Sequence, residues 1–232
     1  MKFPFLKRRD LEAIALQLIY DHGKKFGAIS RPPIPVDEIV DSHLNIYLRY
    51  IDLNPGKSTK VVLGELDVVK KELRVDDSLD PCDHPEKEGR CRFTLAHEVG
   101  HWQIHRPLII VEREQPTLFG QSTVEPIVCR TTSRKDPIEW QADTFAGYLL
   151  MPKDMVLATW TDIYGSLKPY VAAGEIADLS SRWGLAEDKT PTVSIARELA
   201  KVFKVSGQSM QIRLAELGLV LMKEGAPELF KD

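Results

Sequence analysis

Between Arg92 and Pro107 the chain carries histidines at positions 97, 101 and 105. Residues four apart lie one above the other on an α-helix, so this spacing predicts a helix with a polar stripe, stopped by Pro107. Leu95, Val99 and Trp102 fall on the opposite face and suit a core. The helix therefore has an apolar back and a histidine-bearing front, and the rest of the fold must supply what packs against each.

His97-Glu98-Val99-Gly100-His101 is an HExxH pattern. Both imidazoles can reach one ion, while Glu98 projects about 100° away from His97, beside the ligands, where it can take a proton from water. A catalytic zinc needs three protein ligands and an open position. The next residues, Trp102-Gln-Ile-His-Arg-Pro107, lack the glycine-then-histidine continuation that would provide the third. Downstream, Glu139 and Asp143 share a helix face. Glu139 is the expected third ligand, and Asp143 the carboxylate that buttresses a ligand imidazole. The small residues Ala142, Ala146 and Gly147 would let that helix come close. Asp136-Pro137-Ile138-Glu139 also reads as a helix start, with Asp136 capping and Glu139 at the capping-box position; next to HExxH, the ligand reading is preferred. The donor set favours zinc, with manganese as the alternative. His105 and Tyr148 are candidates for contact with substrate or transition state. A helix-end histidine meeting the C-terminal dipole is the competing reading of His105.

Around these motifs the pattern alternates between helix and strand. Helices are expected over Asp10–His22 and Val36–Ser42, separated by the stiff Arg31-Pro32-Pro33-Ile34-Pro35 connector. Strands are expected at Asn45–Ile51, Lys60–Val69 and Glu72–Asp76, the last two forming a hairpin whose charges suggest a sheet edge. Leu108–Lys135 reads as irregular, with a short hairpin at most. A helix over Asp136–Met151 and a helical remainder follow, broken near Gly165, Gly174, Gly184 and Pro191. The division expected is a domain over residues 1–190 and a helical segment over 191–232.

The balance of 43% hydrophobic and 28% charged residues is that of a globular chain, and a net charge of −3 gives no global pull towards nucleic acid. No apolar run approaches the roughly 20 residues that span a bilayer. Three cysteines in 232 residues fit a reducing compartment, so a cytoplasmic location is expected. The C-terminal segment supports a rival reading as a DNA-binding helix-turn-helix regulator, Ile195–Phe203 and Ser209–Leu217 flanking a Lys204-Val205-Ser206 turn. From Val193 onward six basic residues face five acidic ones, a weak footprint for phosphates that favours a packing or partner-docking role. Cys82-Asp83-His84 with Cys91 matches no zinc spacing and reads as ordinary thiols.

Phe93-Thr94-Leu95-Ala96-His97-Glu98-Val99-Gly100-His101, with Glu139-Trp140-Gln141-Ala142-Asp143 and the following Thr144 to Pro152, resembles the ImmA/IrrE family of metallo-endopeptidases. Leu63-Gly64, Leu73 to Asp76 and the tail from Phe203 to Leu219 resemble it as well. The resemblance implies an α+β, gluzincin-type (zincin-like) fold: a small twisted β-sheet packed on the HExxH helix, with a helical C-terminal part. It implies His97, His101 and Glu139 as metal ligands and Glu98 as catalytic base. It further implies a protein substrate, a helix-turn-helix repressor whose cleavage relieves repression under stress or in mobile elements. The long segment between His105 and Asp136 departs from the family pattern.

Overall fold

A computed structural model describes residues 4–56, 61–107, 127–130, 136–184 and 190–222. They group into two compact units, Met1–Ile29 with Ile34–Leu150 and Ser30–Pro33 with Met151–Asp232. That division falls ahead of the 190/191 boundary read from the sequence.

The first unit opens with helix α1 (Arg8–Phe26), which buries Leu11, Ala15, Leu18 and His22 on one face. The helical pattern runs a turn beyond the expected His22, and Gly27 ends it at φ 105°, a conformation that favours glycine. A short helix, α2 (Val36–Glu38), continues as a π-helical turn over Ile39–His43. Strands β1 (Tyr47–Ile51), β2 (Val62–Asp67), β3 (Glu72–Asp76) and β4 (Ile127–Arg130) form one mixed sheet in the order β1-β3-β2-β4. β1 lies parallel to β3, while β2 is antiparallel to both β3 and β4. The β2–β3 hairpin, with Lys71 in the left-handed region at its turn, is thus central. This corrects the expectation of a hairpin at the sheet edge: β1 and β4 flank it, and β4 comes from a stretch read as irregular. Apart from β4, the expected irregular segment Leu108–Lys135 lies outside the described residues.

Helix α3 (Glu88–Gly100) begins before the expected Arg92 and changes at its end to a π-helical turn over His101–His105. It is covered on both sides, so Cys91 and Thr94 through Gly100 are all buried. One cover is the sheet. The other is α4 (Pro137–Leu150), which in turn packs on α1. A β-carbon placed on Gly100 would lie 3.1 Å from Ala142 Cα and from Phe145 Cδ1, so the missing side chain permits the two helices to approach this closely. Leu66, Leu73, Val75, Leu95, Val99, Phe145 and Leu149 fill the core between these layers. The architecture is α+β with a small sheet on the HExxH helix, as expected.

The second unit contains α5 (Lys153–Tyr164), α6 (Ala173–Trp183), α7 (Ser194–Phe203) and α8 (Gly207–Glu216). Strands β5 (Tyr170–Val171) and β6 (Val220–Leu221) pair in parallel. Trp160, Leu199, Phe203, Met210 and Leu214 are buried here. The expected break near Gly174 falls just ahead of it, at β5, and Gly174 is the second residue of α6. No helix among the described residues is long and apolar enough to cross a membrane.

Candidate metal centre

The four-residue spacing on α3 brings the Nε2 atoms of His97 and His101 to 3.0 Å from each other. From the facing helix α4, Glu139 places Oε2 3.2 Å from His97 Nε2 and Oε1 3.5 Å from His101 Nε2. Ligand atoms of the three residues all lie within 4.8 Å of one another, the one such group of three or more among the described residues. Asp136 caps the helix start, its Oδ1 accepting from Ile138 N–H at 2.9 Å. Glu139 is turned to the histidines instead.

Hydrogen bonding on the far side of the rings fixes what these atoms offer. His97 Nδ1 lies 2.9 Å from Asp143 Oδ1. An ionised carboxylate only accepts, so Nδ1 carries the proton and Nε2 of a neutral His97 presents its lone pair. With both rings neutral, two imidazole nitrogens and a carboxylate converge with, at most, one proton on His101 Nε2 to share among them. That proton can satisfy a single contact, whereas a cation at the centre satisfies all three. The residues therefore fit a divalent ion. His97 and His101 are 3% and 0% exposed, and burial, then the neighbouring His97 and His105, depresses the proton affinity of His101. A ring that resists protonation keeps its lone pair available.

Glu98 lies beside the group, fully buried, and neither carboxylate oxygen has a hydrogen-bond partner among the described residues. Burial is the main cause that pushes its carboxyl up to about 8; His97 opposes the shift, while Glu139 and Glu65 add to it. An unpaired buried carboxylate is costly and signals a purpose other than stability.

Gly64 on β2 makes room for it. A β-carbon there would sit 2.9 Å from Glu98 Oε1 and 2.8 Å from Thr94 Cγ2. The β2–β4 register shifts at the same place, between Val62 and Gly64. Replacing glycine by alanine in a strand ordinarily stabilises by about 0.4–1 kcal/mol through the unfolded chain, but overpacking a filled core costs about 1–3 kcal/mol. Gly64→Ala is therefore expected to lower the denaturant midpoint, and to displace the Glu98 carboxylate as β2 and α3 move apart. A midpoint equal to or above the parent's would show that the contact is soft.

The other candidates separate. His105 is 1% exposed and its Nδ1 lies 2.9 Å from His101 Nδ1; burial presses its proton affinity down to about 4. Tyr148 is 3% exposed, and its hydroxyl lies 3.4 Å from Arg8 Nη1, on the α1 side of α4. Sequence reasoning missed how the N-terminal segment supports the ligand helix. Phe5 stacks on Trp140 at 5.2 Å, and Leu6 N–H donates to the buried Gln141 Oε1 at 3.0 Å. Those contacts flank Glu139 in sequence, and no local pattern announces them. In the second unit, α7 and α8 flank a left-handed Lys204, with Ser206 capping α8. Arg213 of α8 is 3% exposed and donates to Met151 O and Glu216, so the charge a phosphate-reading helix would present is directed inward.

Two histidines one turn apart, a carboxylate from the facing helix and a buried glutamate beside them form a candidate metal centre on a zincin-like α+β scaffold. The chain belongs to the peptidase M78 family: the profile described as IrrE N-terminal-like domain matches residues 42–215, which include all of these side chains. The family supports a metallopeptidase-type role. Among solved structures, a Mycobacterium tuberculosis transcriptional regulator is similar at 17% identity and a TM-score of 0.45, over 93% of this chain and 57% of that one. This chain thus spans little more than half of that regulator's length. No curated protein matches the sequence.

Proposed function

We propose that the chain is a zinc-dependent endopeptidase acting in the cytoplasm on a helix-turn-helix transcriptional repressor, whose cleavage relieves repression in a stress response or a mobile element. The observation that carries the peptidase reading is the buried Glu98 carboxylate, without a hydrogen-bond partner among the described residues, beside the converging His97, His101 and Glu139. The repressor as substrate rests on the resemblance of the motifs and tail to the ImmA/IrrE family.

His97, His101 and Glu139 would hold the ion, with zinc favoured over manganese by two imidazoles and one carboxylate. When bound, it supplies Lewis acidity that polarises a peptide carbonyl and makes water more acidic. Glu98 accepts the water's proton on its carboxylate and returns it to the departing amine. Asp143, through Nδ1 of His97, holds that ring with its lone pair towards the ion.

The test incubates the zinc-loaded chain with the helix-turn-helix repressor encoded nearest its gene and follows the repressor by mass spectrometry. Cleavage abolished by a chelator and restored by zinc supports the reading. Cleavage of unfolded casein but not of the repressor would retain the peptidase and discard the target.

A further inference from the structure

We infer that His105 is a positioning residue for the metal centre, the acceptor that holds His101 in the tautomer a metal ligand needs. The inference rests on the metal-site reading above and assigns a role to a side chain outside the ligand group.

His101 Nε2 faces His97 Nε2 and Glu139, so it is the nitrogen that would bind the ion. A neutral imidazole that gives its Nε2 lone pair to a metal carries its proton on Nδ1. That Nδ1 lies 2.9 Å from Nδ1 of His105, a distance two lone pairs cannot share. His101 therefore donates, and His105 accepts on Nδ1 and keeps its own proton on Nε2. Asp143 does the same for His97 from α4, also at 2.9 Å. Each metal histidine thus has its own acceptor, one a carboxylate and the other an imidazole.

The choice of imidazole follows from the surroundings. Asp143 has a side chain 47% exposed, where water shields its charge. His105 is 1% exposed. Another carboxylate there would add a desolvated negative charge. A neutral ring accepts the hydrogen bond without it.

Backbone geometry is a second, independent observation. The α-helix changes to π-helical winding at His101 and keeps it to His105, where the N–H of Arg106 bonds the carbonyl of His101. Such turns are uncommon and occur at functional sites. This one begins on the second ligand and ends on its acceptor, and the rings meet with centroids 4.9 Å apart at an interplanar angle of 47°.

The test measures Zn2+ affinity of the full chain by competition with a chromophoric chelator, together with histidine tautomers from long-range 1H–15N spectra of the Zn2+-loaded parent. His105→Leu keeps the bulk without an acceptor and is expected to weaken binding by about 10–100-fold, the range for removing a ligand's hydrogen-bond partner. His105→Asn places Oδ1 near the position of the imidazole Nδ1 and is expected to recover most of that loss. The parent spectrum is expected to show the proton on Nδ1 of His101 and on Nε2 of His105. Parent-like affinity in His105→Leu, no recovery in His105→Asn, or a His105 proton on Nδ1 would overturn the inference. The spectrum decides the matter even if a variant fails to fold. A parent that binds no Zn2+ overturns the metal-site reading itself, and this inference with it.

Discussion

Glu98→Gln is expected to remove peptide hydrolysis, lowering kcat/KM by about 10²–10⁴-fold as expected for loss of a general base, while zinc content stays at the parent level. Gln matches Glu in size, so the packing against Gly64 and Thr94 survives and His97, His101 and Glu139 keep their places. The amide cannot accept the water's proton. The same variant has a second readout that needs no substrate. In the metal-stripped chain, burial holds the Glu98 carboxyl up to about 8, well above its ordinary value. A carboxyl raised in the folded state leaves stability intact below the ordinary value of 4.5 and costs stability as pH rises towards about 8, because the unfolded chain ionises first. Metal-stripped Glu98→Gln is therefore expected to match the parent's denaturant midpoint at pH 4 and exceed it at pH 8. Retained hydrolysis would remove Glu98 from the base's role. Equal midpoints at pH 8 would show that its carboxylate is solvated.

How much of this site could be read from the sequence depends on how local each contact is. His97, Glu98 and His101 were legible because one helix fixes their geometry, and the α-helical repeat is a property of the chain itself. Glu139 was ambiguous, since Asp136-Pro137-Ile138-Glu139 is equally a helix start. The structure gives both roles, the cap to Asp136 and the approach to the histidines to Glu139. The π-helical turn at His101–His105 leaves no signature, because a spacing of four suits α and π winding alike. Gly64 was visible as a strand glycine within a resembling motif, and its meaning comes from α3 crossing the sheet at that point. The hairpin's charges suggested an edge, yet pairing of β2 with the sequence-distant β4 moves the hairpin to the centre. Non-local pairing is what a local pattern cannot encode. For the same reason the stack of Phe5 on Trp140 escaped notice.

Glu139→Ala discriminates most sharply between the two readings its position allowed. As a ligand, Glu139 supplies the sole carboxylate in the group, and its removal leaves two imidazoles that hold zinc poorly. Affinity is expected to fall by at least about 10–100-fold, since losing a ligand matters no less than losing the partner that orients one. Zinc at 100 times its Kd stabilises a folded chain by about 2.7 kcal/mol, so the rise in Tm that zinc gives the parent should collapse in the variant at equal zinc concentration. As a cap, by contrast, Glu139 would be worth about 0.5–2 kcal/mol with or without metal. In a chelator, Glu139→Ala should be as stable as the parent or slightly more so, because its charge is one of those raising the proton affinity of buried Glu98. A variant weakened equally with and without zinc, at parental affinity, would return Glu139 to the cap and leave the metal with only two protein ligands.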